Sequence, residues 1–358
     1  MRNLIRTVAL ILLNTAVAFF VIELGVRFLA PSTISTNYLV GGPLGLEDPV
    51  LGHRNRPDTV ARVKAPEYDV EYFVDSNGFR GMRDADPMDL NSDAVTILLL
   101  GDSFTFGAAN SVDDIWPTFL SQKFKEDGRP VNIINAGVEG YNTAQQALYL
   151  EELYSKYQPD IVLTMFLPND LFANEPIQTV DGIDVAVTDA RAVVRAGAGK
   201  RSSLHSVAFL KRMMMRNDGL YTSLYALTPR REFFQTPPSE LFLSKLNATK
   251  SILERMGKFC SENDTDLVVI SVPQLFQVLY EASNDGPGDL DASIPDDVLA
   301  PLAEGWDIQW VSVLDTLVQV YTSSNEDLYH RYDGHLNARG NKVVAEAIHE
   351  TLLPLLDR

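Results

Sequence analysis

The groups able to do chemistry in this chain gather in four short blocks. The first is Gly101-Asp102-Ser103-Phe104-Thr105-Phe106-Gly107, directly after the apolar run Val95-Thr96-Ile97-Leu98-Leu99-Leu100. A buried strand that delivers a serine onto a glycine-flanked turn places a hydroxyl where open α/β sheets bind ligands. A serine hydroxyl is a weak nucleophile until a neighbouring base takes its proton. Of the five histidines, His335 has the setting for that base, in the loop just before the last predicted helix. Asp333, two residues earlier, is the group to fix its tautomer and to stabilise the imidazolium. His330 is the nearby rival, whereas His53, His205 and His349 lack a comparable setting.

Acyl transfer passes through a tetrahedral oxyanion, so donors aimed at that charge supply much of the rate. Three donors fall at three strand ends: the backbone N–H of Ser103, the backbone N–H of Gly140 in Asn135-Ala136-Gly137-Val138-Glu139-Gly140, and the side-chain amide of Asn169 in Pro168-Asn169-Asp170. At Gly140 the missing side chain lets the backbone approach a substrate. Structural roles compete at each position. Ser103 could cap a helix, Gly137 could shape a turn, and Asn169 could satisfy loop backbone groups. Asn142 or Thr143 and Asn337 suit helix caps, and Asp102 and Asp170 suit turns pinned by local hydrogen bonds.

Serine, glycine, asparagine and histidine in this order resemble the four blocks of the SGNH (GDSL-type) hydrolases, over roughly residues 95 to 358. The resemblance implies Ser103 as nucleophile, His335 as base with Asp333 as its partner, and Gly140 and Asn169 as oxyanion donors. Two positions depart from the commonest pattern. The family's usual Asp-x-x-His would need an acid at 332, where Tyr332 stands, and Leu167 replaces the glycine of Gly-x-Asn-Asp. The Asp-x-His spacing is similar to the branch that includes polysaccharide acetylation proteins. That widens the implied chemistry from hydrolysis to acyl transfer onto sugar.

The elements that must position these blocks follow from apolar runs and periodicity. Strands are expected at Val95–Leu100, Val131–Asn135, Asp160–Phe166, Asp266–Val272 and Ile308–Val313. Helices are expected at Trp116–Glu126, Thr143–Tyr157, Leu241–Glu262, Asp315–Thr322 and Ala338–Leu353. Alternation of this kind predicts a parallel sheet covered by helices on both faces. The pattern thus predicts an α/β fold, and the resemblance implies a flavodoxin-like three-layer α/β/α SGNH-hydrolase arrangement, with an N-terminal membrane anchor and a helical insert. The divisions are residues 1–30 as anchor, 31–94 as a lead-in with some β structure, and 95–358 as the hydrolase domain. Within the lead-in, Tyr68 to Val74 alternates like a half-exposed strand. Within the domain, residues 171–238 form an insert, with a hairpin between Gln178 and Arg195 around Asp181-Gly182 and helix from Ser206 to Leu227. The insert reads first as helices packed on the core. A lid or a second membrane contact are its functional readings.

Arg2 and Arg6 precede the apolar run Thr7 to Ile22, and Glu23 and Arg27 follow at helical pair spacing before Phe28-Leu29-Ala30-Pro31. Counting on to Ala30 gives about the 20 residues a membrane helix needs. No persuasive small-x-small cleavage site precedes Pro31, which favours a retained anchor over a cleaved signal peptide. The basic end then stays cytoplasmic and the remainder lies in the periplasm or its equivalent.

A formal net charge of −18 argues against nucleic acid, which needs clustered Lys and Arg. The lone cysteine, Cys260, excludes an internal disulfide and reads as a buried small residue. No phosphate loop, dinucleotide fingerprint, Gly-x-Ser-x-Gly elbow or histidine-rich metal site appears, so no cofactor and no metal are expected. The leading expectation is an anchored serine esterase that removes O-acyl, most simply O-acetyl, groups from a glycan or related ester. A polysaccharide O-acyltransferase with the same triad, a non-catalytic envelope scaffold or glycan-binding protein, and a lipid hydrolase are the alternatives.

Overall fold

The computed structural model describes residues 2–29, 44–81, 94–129, 131–186, 204–283 and 288–357. The junction at Pro31, the acidic stretch through residues 83–93 and the expected hairpin's continuation to Arg195 lie outside these described residues.

The apolar run at the start forms helix α1 (Arg2–Leu29), of which Arg6–Leu29 is long and apolar enough to cross a membrane. Two antiparallel hairpins follow. Strands β1 (Gly45–Asp48) and β2 (Gly52–Asn55) make the first, and β3 (Thr59–Lys64) and β4 (Asp69–Val74) the second. In β4 the alternation expected from sequence is realised: Val70, Tyr72 and Val74 turn inward, where they pack with Phe106.

The core is a five-stranded, all-parallel sheet built from β5 (Thr96–Leu100), β6 (Asn132–Asn135), β7 (Ile161–Phe166), β10 (Asp266–Ser271) and β11 (Ile308–Ser312), with β8 (Gln178–Val180) and β9 (Ile183–Val185) lying outside it. Its spatial order is β6-β5-β7-β10-β11. Numbered by appearance this is 2-1-3-4-5, the flavodoxin-like order, whose switch point falls between the first and third strands. Every residue of β5 and β7 is buried, as a sheet covered on both faces requires. Successive strand residues point to opposite faces. Leu98, Leu100, Val162 and Val269 therefore join helices Thr143–Tyr157, Glu240–Ser261 and Ile294–Ala303 on one side. Ile97, Leu99, Leu163 and Ile270 join Trp116–Glu126, Leu314–Ser324 and Ala338–Leu356 on the other.

The short helices at the strand ends are α2 (Ser103–Phe106) after β5 and α5 (Pro168–Ala173) after β7, with α3 (Trp116–Glu126) and α4 (Thr143–Tyr157) between them. Asn142 caps α4 in a reciprocal capping box with Gln145. Cys260 is 1% exposed, and burial pushes its thiol up to about 12, which leaves it inert as a nucleophile.

The insert is of two kinds. Strands β8 (Gln178–Val180) and β9 (Ile183–Val185) pair around Asp181-Gly182, and helices α6 (His205–Met215) and α7 (Asp218–Ala226) follow. Helix α7 packs on the body of the protein, with Tyr225 stacked on Phe276 at 4.1 Å between centroids. Helix α6 has no buried side chain. The expectation of an insert wholly packed on the core therefore holds for α7 and not for α6, which leans on α1 instead.

Candidate active site

Ser103 is the first residue of α2, at the carboxyl end of β5. The cap of that helix is Asp102, whose carboxylate accepts the Phe104 N–H at 2.8 Å, so Ser103 is left to present its hydroxyl rather than to cap. His335 approaches from the loop before helix Ala338–Leu356, and Asn337 caps that helix by accepting the Gly340 N–H. The imidazole Nε2 lies 2.7 Å from Ser103 Oγ, and Nδ1 meets Asp333 Oδ1. An ionised carboxylate can only accept, so the Nδ1 hydrogen donates to Asp333 and Nε2 accepts from the serine. Phe104 packs its ring against the imidazole at 5.0 Å.

The charges are set by these contacts. Burial works against the charged imidazole. The Asp333 carboxylate on Nδ1, with Asp102 and Glu139 nearby, outweighs it, and the His335 pKa lies above the ordinary histidine value. Burial would raise Asp333, but its hydrogen bonds from His335 and Tyr68 bring it down to about 2. Tyr68 donates its hydroxyl to Asp333 Oδ2 at 2.8 Å, and the Glu67 carboxylate accepts the backbone N–H groups of Tyr332 and Asp333. The rival His330 turns to Asn110 Oδ1 at 3.4 Å and to the Tyr68 ring, and burial lowers its pKa.

Asn169 sits in the first turn of α5, beside β5 across the switch point. Its side chain lies beside the buried Asp102 carboxylate and favours the charged form of that group. Its Oδ1 accepts from Gln274 Nε2 at 3.0 Å, and Gln274 Oε1 in turn accepts the Tyr225 hydroxyl at 2.7 Å. The carbonyl of Asn169 is thus taken up by Gln274, which leaves its N–H₂ as the donor end. Its partners are side chains, not the loop backbone. Leu167, in place of a glycine, has φ −122° and is fully buried, a conformation any residue adopts. Asp170 pins that turn by accepting the Leu167 N–H at 3.1 Å, and its Oδ1 has no partner among the described residues. Burial, with Asp102 beside it, holds the Asp170 carboxyl well above the usual carboxylate range.

Gly140 lies in the turn after β6 with φ +79°, in the left-handed region that favours glycine. Its loop is tied to the serine turn, because Val138 donates to the Gly101 carbonyl at 3.1 Å. Gly137 packs so closely that a Cβ there would lie 2.4 Å from the Phe106 backbone nitrogen, so its role is close approach. The lead-in hairpin braces this loop from outside. Asn55 Nδ2 donates to the Gly137 carbonyl at 3.0 Å, and His53 Nε2 donates to the Glu139 carbonyl at 2.8 Å.

The structure therefore joins Ser103, His335 and Asp333 by direct hydrogen bonds, sets Asn169 at the neighbouring strand end beside Asp102, and places Gly140 on a loop bonded to the serine turn. Sequence reading did not find Tyr68, Glu67, His53, Asn55 or Gln274. They lie outside the four blocks, and no spacing connects them to those blocks. Among the described residues no group of His, Cys, Asp and Glu could hold a metal ion.

Residues of this chain are 32% identical over 74 positions to an arylesterase of Vibrio mimicus, a match covering 21% of this chain and 37% of that protein. They are 31% identical over 100 positions to thioesterase 1/protease 1/lysophospholipase L1 of Escherichia coli K12, covering 28% and 47%. The chain thus spans less than half the length of these curated relatives. Among solved structures, the psychrotrophic esterase EstA from Pseudoalteromonas sp. aligns at 14% identity and TM-score 0.41, covering 74% of this chain and 99% of that one. The profile of the GDSL-like lipase/acylhydrolase family matches residues 99–343. That match takes in all four blocks and most of the chain, and the protein belongs to this family.

Proposed function

We propose that this protein is a serine ester hydrolase, with Ser103 as nucleophile, His335 as general base and then acid, Asp333 as its orienting partner, and Gly140 and Asn169 as oxyanion donors with the Ser103 N–H. The observation that carries the reading is the 2.7 Å contact from Ser103 Oγ to a His335 whose far nitrogen is held by Asp333. Ser103 Oγ attacks the ester carbonyl while its proton passes to His335 Nε2. The carbonyl π electrons move onto oxygen, where the donors stabilise them. The tetrahedral species collapses, the C–O bond to the leaving alkoxide breaks, and His335 returns the proton to that oxygen. Water, deprotonated by the same nitrogen, then attacks the acyl-serine, and the acid leaves as Ser103 regains its proton.

The finer reading is removal of O-acetyl groups from a glycan, outside the cytoplasm, by a protein held to the membrane by α1. The family, the Asp-x-His spacing and the apolar N-terminal helix support it. The test is acetate release by the full-length chain from an aryl acetate and from acetylated oligosaccharides, beside Ser103→Ala and His335→Ala of verified fold. Both variants should lose roughly a thousandfold or more in kcat. Undiminished turnover in Ser103→Ala would sink the mechanism. Acetyl appearing on an added sugar faster than free acetate would replace hydrolysis by transfer, with the same triad.

A further inference from the structure

Helix α6 is built unlike any core helix. It carries Val207, Phe209, Leu210 and Met213 exposed, and none of its side chains is buried. Large exposed apolar faces of this sort mark a surface that something covers. Its charges also run against the rest of the molecule. The chain as a whole is at −18, yet α6 and the residue that follows it hold Lys211, Arg212 and Arg216 and no acid. Lys211 and Arg216 are exposed. An apolar face beside exposed basic side chains is the composition of a helix that lies in the membrane interface.

The geometry ties this helix to the membrane segment. Glu23, 7% exposed on α1, accepts the backbone N–H groups of His205 and Ser206 at 2.9 Å each and the Ser206 hydroxyl at 2.6 Å. It also accepts Arg27 Nε at 2.9 Å. The carboxylate that caps the start of α6 is thus supplied by α1, where it also meets the positive end of the helix dipole. The apolar run Thr7 to Ile22 rises about 24 Å at 1.5 Å per residue, against a hydrocarbon core of about 30 Å. Glu23 therefore emerges near the edge of that core, and α6 starts at headgroup depth. On its other side α6 holds the catalytic loop. The Arg212 guanidinium lies over the Tyr332 ring at 5.1 Å, and the Tyr332 hydroxyl donates to the Arg212 carbonyl at 3.1 Å, next to Asp333.

We infer that α6 is a second membrane contact, lying in the headgroup layer of an anionic bilayer beside α1 and holding the triad loop against that surface. The inference rests on α1 being a retained anchor, and it confines the enzyme to esters that reach the headgroup layer. The occupant is the bilayer rather than a protein because the patch is continuous with the membrane helix and carries the charge that anionic lipids attract.

The test uses the full-length chain in vesicles of phosphatidylcholine and phosphatidylglycerol. Cys260 is buried, so an environment-sensitive fluorophore attaches selectively to a new cysteine. The sites are Val17→Cys on α1, Leu210→Cys on α6 and Lys258→Cys on a distant exposed turn of helix Glu240–Ser261. Nitroxide placed in the lipid should quench the labels at 17 and 210 several-fold more than the label at 258. Quenching at 17 without quenching at 210 overturns the inference and leaves the anchor standing. A label at 210 shielded from aqueous iodide yet untouched by lipid nitroxide overturns it in favour of a protein partner. Absence of quenching at both 17 and 210 removes the anchor and the inference together.

Discussion

His335 carries two contacts that pull its chemistry in one direction. Asp333 raises its pKa, so a larger share of the imidazole is protonated near neutrality than in a free histidine. In the proposed role of general base His335 must be neutral, so kcat/KM should fall as pH drops through that raised value. Asp333→Asn removes the carboxylate that favours the charged form. The acid limb should then move to lower pH while the maximal rate drops roughly a thousandfold or more, because the tautomer is no longer fixed. A pH–rate profile of the two proteins checks both signs, and an unmoved limb would refute the assignment of Asp333. Asp170 behaves oppositely as a carboxyl. Its raised folded-state pKa means the native state holds that proton more tightly than the unfolded chain does, and the stability this gives is lost as pH rises from the unfolded value toward the folded one. Asp170→Asn keeps an acceptor for the Leu167 N–H and cannot ionise. The variant should melt above wild type at pH 8 and match it near pH 4, with the denaturation midpoint as the readout. The meeting of Ser103, Asp333 and His335 was legible because each sits in a short block whose residue types suggest a shared chemistry. Tyr68 and Glu67 were not, since a tyrosine and a glutamate 265 residues from their Asp333 and Tyr332 partners carry no mark of that pairing in the chain.

Elements were legible to the degree that burial is periodic. The five core strands were found within about a residue, and Trp116–Glu126 and Thr143–Tyr157 coincide with the observed helices, because continuous apolar runs and amphipathic repeats are set by the two faces they must cover. Helices Leu275–Ser283 and Ile294–Ala303 were missed. Pro273 precedes the first, Pro295 and Pro301 lie in the second, and acidic residues crowd between them, so local propensity there points to loop. The first of these helices has a direct bearing on the site. Gln274 stands just ahead of it and Gln277 on it accepts the Gln274 N–H at 2.7 Å, so helix and glutamine move as one. Gln274 Nε2 then fixes the Asn169 carbonyl, while Tyr225 fixes Gln274 from α7. Losing a single oxyanion donor costs about 10²–10³ in kcat. Gln274→Ala, which releases the Asn169 amide without removing it, should cost less, roughly tenfold in kcat, with KM and melting temperature close to wild type. Asn169→Ala should fall by the larger factor. Equal losses in the two variants would mean that Gln274 holds more than the asparagine, and an unchanged kcat in Gln274→Ala would show that the amide does not depend on Gln274 for its position.

At the scale of the molecule, the site is the product of a sheet order and of a brace outside it. The 2-1-3-4-5 order puts the ends of β5 and β7 side by side at the switch point, which is why residues 66 apart, Ser103 and Asn169, share one crevice. The sequence reading treated residues 31–94 as a lead-in, yet their hairpins supply hydrogen bonds to two of the site's loops. Tyr68 and Glu67 hold the Asp333 turn, and His53 and Asn55 hold the turn before Gly140. Asn55 is 6% exposed and its amide serves two carbonyls, Gly137 at 3.0 Å and Gly78 at 3.2 Å. Asn55→Ala leaves both acceptors short of a buried donor, which costs about 1–3 kcal/mol. If the hairpin only adds surface cover, that loss appears in the denaturation midpoint and nowhere else. If it fixes the loop that carries the Gly140 N–H, kcat should also fall several-fold well below the melting temperature, where the protein is fully folded. Measured together, midpoint and kcat separate the two cases, and the hydrogen bond to the Gly137 carbonyl, next to the serine turn, favours the second.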